Sequence, residues 1–201
     1  MRSEQEMFDL ILSTARQDPL IRAVVLNGSR ANPAAPRDFF QDFDIVYLVT
    51  DPAPFTRNLE WIRRFGEMMI LQLPDDMGDP PPADRPGYCY LMQFQDGNRI
   101  DLTIFPLASL DRWEDDSQTL ILLDKDGRLP PHAPPSDSDS LPRPPTSKQY
   151  DDCCNEFWWV NPYVAKGLCR QEHLYAVWHM EAAIRKELLK MLAWWVGARQ
   201  G

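Results

Sequence analysis

Apolar residues recur along the chain with two different periods, and each change of period marks a change of element. Met7, Leu10, Ile11 and Ala15 keep the three- and four-residue spacing of one helix face. Ahead of them Ser3 and Glu6 spell an S-x-x-E capping box, in which side chains satisfy the free amides of a helix start. The pattern predicts a helix ending near Gln17. Residues 21–26 are then short, apolar and rich in β-branched side chains, a buried strand stopped by the turn Asn27-Gly28-Ser29. Residues 42–49 read as a second strand and 55–65 as helix. Residues 67–73 read as a strand, and 74–86 as a loop held extended by its prolines. Residues 89–94 and 99–105 flank Gln95-Asp96-Gly97-Asn98, a hairpin signal because Gly and Asn tolerate positive φ. Residues 119–123 add an edge strand. Together these elements predict an α+β fold, a small mixed sheet with helices packed on it.

The periodicity lapses between residues 127 and 147, where seven prolines stand among Ser and Asp. Such composition reads as a linker or wrapping crossover. Beyond it Val177, Met180, Ile184, Leu188, Met191 and Trp195 return to helical spacing, an amphipathic helix that needs a partner surface. The accompanying aromatic stripe reads most simply as core. The expected organisation is a domain over residues 1–126, a linker over 127–147 and a helical domain over 148–201.

Composition narrows the class. The chain has 201 residues, 44% of them hydrophobic, enough to bury a real core. A net charge of −9 repels phosphate backbones, so nucleic acid is not an expected partner and cationic ligands are favoured. The opening Met1-Arg2-Ser3-Glu4-Gln5-Glu6 lacks a signal-peptide core, and no segment nears the roughly 20 apolar residues of a membrane span. A cytoplasmic protein without membrane partners is expected. Cys89, Cys153, Cys154 and Cys169 lack zinc-ligand spacing and read as reduced, partly buried core residues.

The chemistry gathers in the first half of the chain. Asp42 and Asp44 open an otherwise apolar strand at alternate positions, so they share one face, roughly 6.5 Å apart at about 3.3 Å rise per residue. Asp101 opens another apolar run. If that run pairs beside the first, its carboxylate comes within cross-strand reach, on the order of 5 Å between opposed Cβ atoms. Converging carboxylates suit Mg²⁺, which takes oxygen ligands and completes its shell with substrate phosphates. The preceding Gly28-Ser29 turn lets a backbone approach phosphate closely, and Ser29 and Arg30 add donors. Alone, each part has a plainer reading: a solvated strand end, a simple turn, a surface cation. Their joint occurrence, with acids entering two apolar strands, favours a metal-nucleotide site.

These residues resemble the nucleotidyltransferase motif, in which Gly-Ser and D-x-D precede a third Asp on a neighbouring strand. The closer resemblance is to the aminoglycoside 6-adenylyltransferases, the streptomycin-modifying enzymes. It rests on Asn27-Gly28-Ser29-Arg30, Gln41-Asp42-Phe43-Asp44 and residues 96–101, 122–126, 151–160 and 163–168, and it covers essentially the whole chain. The resemblance implies a nucleotidyltransferase-type mixed sheet followed by a helical domain. It implies transfer of AMP from Mg-ATP to the 6-hydroxyl of streptomycin, a cationic aminoglycoside, with release of pyrophosphate. Asp42, Asp44 and Asp101 become metal ligands and catalytic residues, Asp101 with a second role in activating the acceptor hydroxyl. Gly28, Ser29 and Arg30 bind the triphosphate. Lys166 is either a grip on the leaving pyrophosphate or an exposed helix lysine. Glu156 and Asp152 either meet the cationic sugar or serve as helix-start charges. Glu172, Glu181 and Glu187 read as a solvated helix face, with an acceptor base drawn from one of them as the alternative. Family members continue with several helices past the position of Gly201, so the helical domain reads as partial. Some carry an acid at the position of Trp178, and no base carries over there. The alternatives to streptomycin adenylylation are another acceptor, or a nucleotide-binding remnant without turnover.

Overall fold

Ser3 accepts the Glu6 amide at 3.3 Å while the Glu6 carboxylate accepts the Ser3 amide at 2.7 Å. This reciprocal cap starts α1 (Glu4–Gln17), which buries Met7, Ile11, Thr14 and Ala15, as the helical spacing requires. The computed structural model describes residues 1–81, 86–113 and 116–200. Its contacts divide the chain into two units, Met1–Asp139 and Ser140–Gly201.

The first unit is built on six strands, β1 (Ile21–Asn27), β2 (Phe43–Val49), β3 (Met68–Gln72), β4 (Tyr88–Phe94), β5 (Arg99–Pro106) and β6 (Leu120–Asp124). Their order across the sheet is β3-β4-β5-β2-β1-β6. β2 and β5 run parallel, and the remaining neighbours are antiparallel, so the sheet is mixed. The 119–123 run forms the edge strand β6, and the 95–98 signal makes the β4–β5 hairpin, with Gly97 at φ 87°.

Alternation along each strand separates two faces. One carries Phe43, Ile45, Tyr47, Ile100, Leu102 and Ile104, which pack with α1 into the main core. Two buried tyrosines fasten that layer: the Tyr47 hydroxyl donates to the Ile11 carbonyl at 2.7 Å and the Tyr90 hydroxyl to the Phe55 carbonyl at 2.5 Å. Each satisfies a polar group that burial would otherwise leave at a cost of roughly 1–3 kcal/mol. The opposite face has a smaller cluster, Ala23, Val25, Val46, Leu48 and Phe105, with Trp113 and Leu129 against it.

Residues 55–65 do not form the single helix expected. They divide into α2 (Ala53–Thr56) and a 3₁₀ segment, Leu59–Phe65, which Asn58 caps by accepting the Glu60 amide at 3.0 Å. In one continuous helix Phe55 and Trp61 would lie about 120° apart. The break lets both rings enter the core, edge to face at 5.1 Å, with the Trp61 indole donating to the Phe55 carbonyl. The proline-rich loop begins as a short 3₁₀ turn, Pro74–Asp76, tied to β4 by Asp75 accepting the Cys89 amide at 2.7 Å. Its residues 82–85 lie outside the described residues. Further on, Ser136 donates its amide to the Ser117 carbonyl at 2.8 Å and Asp139 accepts the Ser117 amide at 2.9 Å, so part of the 127–147 stretch belongs to the first unit.

The second unit is helical. Thr146 and Gln149 form another capping box at the start of α3 (Ser147–Cys169). After it come α4 (His173–His179), a π-helical turn, Met180–Arg185, and α5 (Lys186–Gln200). Gly167 lets α3 approach Ala176, whose Cβ would stand 2.9 Å from any Cβ placed there. The buried side is Ala176, Ile184 and Glu187, not the stripe read from the sequence. Of that stripe only Ile184 is buried; Val177, Leu188 and Trp195 are exposed. The wider π turn adds residues per turn and rotates the following helix, which shifts the buried face. The aromatic stripe is not core here: Trp158, Trp159, Trp178 and Trp195 are all exposed, because a two-layer helical unit hides one side of each helix. Cys169 is exposed too, while Cys153 is buried and Cys89 and Cys154 are half-buried. Among the described residues no helix is long and apolar enough to cross a membrane.

Candidate active site

The site forms where the sheet's less covered face meets the end of β1. Asn27 is the register partner of Asp44, and the chain leaves β1 through Gly28 at φ 73°. A Cβ at Gly28 would collide with Asp44 Oδ2, so both the backbone conformation and the close approach demand glycine. The parallel pairing of β2 with β5 places Asp44 directly opposite Asp101. Asp42 stands just before β2. Ligand oxygens of Asp42, Asp44 and Asp101 all lie within 4.8 Å of one another, and all three residues are partly buried. Alternation explains why they face away from the main core: Phe43, Ile45, Ile100 and Leu102 take the inner positions.

Burial, with the negative charges of Asp42 and Asp101, pushes the Asp44 carboxyl up to about 7, and the nearby Arg99 opposes the shift. The cluster thus carries more negative charge than its surroundings comfortably hold. Compact, partly dry and made only of carboxylate oxygens, it fits a hard divalent cation such as Mg²⁺.

The turn between β1 and β2 is clamped by groups the motif alone does not reveal. Arg30 is buried, donates from Nε to the Asp42 carbonyl at 2.9 Å and from Nη2 to the Gln41 carbonyl at 2.5 Å, and stacks on Phe43 with 3.9 Å to the ring centre. Its Nη1 lies 3.3 Å from Glu4 on α1. The expected direct grip on triphosphate is therefore not the geometry present: this guanidinium is spent on the backbone of the D-x-D segment. Gln41 donates to the Ser29 hydroxyl at 3.2 Å, which leaves that hydroxyl's own proton to donate elsewhere.

Arg99, quoted in the sequence only as part of a run, is the principal residue that sequence reasoning missed. It lies two positions before Asp101 on β5, hence on the same face, and that spacing was legible. Its guanidinium takes both oxygens of Asp101, at 2.7 and 2.6 Å, and lies 3.7 Å from Asp42.

Beside the acids is a cleft of about 340 Å³ bordered by Asn27, Gly28, Asp44, Asp101 and Thr103. A larger hollow of about 920 Å³ shares Asn27 and Thr103 with it and continues over Val46 and Phe105 to Asp111 and Trp113. Together they offer a polar end and an aromatic end on one sheet face.

The remaining residues singled out from sequence belong to the second unit. Lys166 is exposed near the end of α3, its ammonium 5.6 Å from the centre of the Tyr163 ring. Asp152 pairs with Lys148 at 2.6 Å and Glu181 with Arg185 at 2.5 Å, while Glu156 and Glu172 are exposed. Glu187 departs from the expected solvated face: it is buried and paired with Lys190 at 2.5 Å.

Known proteins share this sequence and fold. The family model described as streptomycin adenylyltransferase matches residues 1–201. An aminoglycoside 6-adenylyltransferase of Campylobacter jejuni is 48% identical over 202 residues, which span all of this chain and 70% of the relative. One from Bacillus subtilis (strain 168) is 42% identical over 203 residues, again all of this chain and 72% of the relative. The crystal structure of an aminoglycoside 6-adenyltransferase from Bacillus subtilis aligns with a TM-score of 0.53 at 39% identity, covering 96% of this chain and 67% of that one. With its mixed sheet, its paired carboxylates and a match along its full length, the chain belongs to the streptomycin adenylyltransferase family of nucleotidyltransferases.

Proposed function

We propose that the protein transfers AMP from Mg-ATP to the 6-hydroxyl of streptomycin and releases pyrophosphate. The observation that carries this reading is the register of β2 against β5, which sets Asp44 opposite Asp101 with Asp42 beside them at the Gly28-Ser29 turn. In this reading Asp42, Asp44 and Asp101 hold Mg²⁺. Bound there, the metal offsets charge on the phosphoryl group in transfer and orients it. Gly28 admits the phosphates close to the backbone, and Ser29 donates its hydroxyl proton to a phosphate oxygen. Arg30 acts as a positioning residue, holding the Gln41 and Asp42 carbonyls so that the acids keep their place.

The acceptor oxygen attacks the α-phosphorus, and the bond from that phosphorus to the oxygen bridging to the β-phosphate breaks. The acceptor's proton goes to a carboxylate of the cluster, assigned to Asp101. An acidic protein suits such a substrate, since net charge −9 draws a polycationic drug toward the surface.

The test mixes purified protein, Mg-ATP and streptomycin and looks for adenylylated drug by mass spectrometry. Product is expected, and none from the variant combining Asp42→Asn, Asp44→Asn and Asp101→Asn. Undiminished turnover by that variant would sink the mechanism. Product formed only on another aminoglycoside would replace the acceptor, and Mg-ATP binding without product on any acceptor would leave a nucleotide-binding protein without turnover.

A further inference from the structure

Among the described residues Arg30 and Arg99 lie beside the carboxylate cluster, and they are held in opposite ways. Arg30 is buried, stacked on Phe43 and committed to two backbone carbonyls. Arg99 sits at the first position of β5, with its side chain 43% exposed, while the Asp101 side chain it grips is 16% exposed. It enters the cluster from the rim. Its fork engages both oxygens of Asp101, at 2.7 and 2.6 Å, and its Nε lies 3.7 Å from Asp42 Oδ2, so one cation spans two of the three acids. Among the described residues no cation forms such a fork with Asp44, whose carboxyl is pushed upward by burial and by the charges of Asp42 and Asp101.

From this contrast, and resting on the proposed metal-nucleotide reading of the cluster, we infer that Arg99 is an exchangeable counter-cation that couples metal entry to nucleotide binding. Before substrate arrives it offsets the repulsion among Asp42, Asp44 and Asp101 and keeps them gathered. A divalent cation and a guanidinium compete for the same oxygens of Asp101, and at such separations their like charges repel. Arg99 therefore releases Asp101 when a metal is bound. Its side chain, 43% exposed at the rim, can leave without disturbing the core, whereas Arg30 is buried against Phe43. A triphosphate supplies the released guanidinium with a new anionic partner of matching fork geometry. Metal without nucleotide must strip Arg99 from its carboxylate uncompensated, whereas metal with nucleotide exchanges one charge-assisted pair for another. By linkage, each ligand then strengthens the other.

The experiment titrates Mn²⁺ by calorimetry into the wild-type protein, Arg99→Gln and Arg99→Lys, with and without a non-hydrolysable ATP analogue, and needs no catalysis. Arg99→Gln is expected to bind Mn²⁺ alone roughly 3- to 10-fold more tightly than wild type, the scale of a partly exposed bidentate pair. The tightening that the analogue confers should shrink by a similar factor. Arg99→Lys, which keeps the charge and loses the fork, should fall between. Melting of each metal-free protein checks that the variants fold; Arg99→Lys carries the comparison if Arg99→Gln does not. Weaker or unchanged Mn²⁺ binding in the folded variants, with normal binding in wild type, overturns the inference and leaves the metal site standing. Absence of Mn²⁺ binding in wild type, with and without the analogue, overturns both.

Discussion

At Gly28 the lack of a side chain makes room for Asp44. The residue combines φ of 73° with a carboxylate oxygen of Asp44 where a Cβ would go. Gly28→Ala should therefore displace Asp44 and strain the turn together. We expect a fall of roughly 100-fold in kcat/KM, the scale of a misplacement of about 1 Å, measured by steady-state adenylylation. The destabilisation should be about 1–2 kcal/mol, measured by denaturant unfolding. Asp44 itself sets a pH dependence. Its carboxyl is raised to about 7 by burial and by the charges of Asp42 and Asp101, and a metal ligand must be deprotonated. Protons and metal compete there, so Mn²⁺ affinity should be full above pH 7 and weaken progressively as pH falls below it. Calorimetric titrations between pH 5.5 and 8 check the sign. Asp42, Asp44 and Asp101 were legible one by one, as acids at exposed-face positions of apolar strands. Arg30 was legible only as a charge; its burial against Phe43 arises from packing that no local pattern encodes.

At the scale of elements, the hairpin β4–β5 does more than bring Asp101 to its place. Asp96 in its turn accepts Arg2 Nε at 2.6 Å and the Arg2 amide at 3.1 Å, and Arg2 also donates to the Phe65 carbonyl at 2.5 Å. One ion pair thus joins the start of α1, the hairpin tip and the end of the Leu59–Phe65 segment. The Arg2 guanidinium, with amide donors from Asn98 and Arg2, holds the Asp96 carboxyl well below the usual carboxylate range. A carboxyl depressed in the folded state adds stability above its unfolded value, near 4, and loses it as pH falls toward the folded value. Asp96→Asn should lower stability by about 1–2 kcal/mol at pH 7, roughly 2–8 °C in melting temperature, with the difference from wild type fading below pH 4. Thermal melts across that range test it. Elements with local determinants were readable in advance: the Ser3–Glu6 cap, the Gly97 turn and the alternation in β2 and β5 all act within a few residues. The break at Asn58 was not, because it serves the meeting of Phe55 and Trp61 with Tyr90, a partner in a strand about 30 residues on.

For the molecule as a whole, burial is uneven between the two units. Met1–Asp139 contains a main core running from Met7 to Ile104, while the helices of Ser140–Gly201 bury few apolar side chains, among them Val160, Ala176 and Ile184. Local stability follows buried apolar contact. Amides of β2 and β5 should therefore exchange slowest with solvent deuterium, and those of α4 and α5 by at least a hundredfold faster, roughly 2.7 kcal/mol in local opening. Uniform protection across both units in hydrogen-exchange mass spectrometry would contradict this. By itself the sequence determined α1, the strands, the mixed α+β class and the three acids, because capping, alternation and turn chemistry are local and act through neighbouring residues. Tertiary structure alone decided that Asp44 faces Asp101, that Arg30 turns inward while Arg99 stays at the rim, and which side of the last helices is covered. Those outcomes depend on strand register and on competition for buried space between residues far apart in the chain, and no spacing within a segment carries that information.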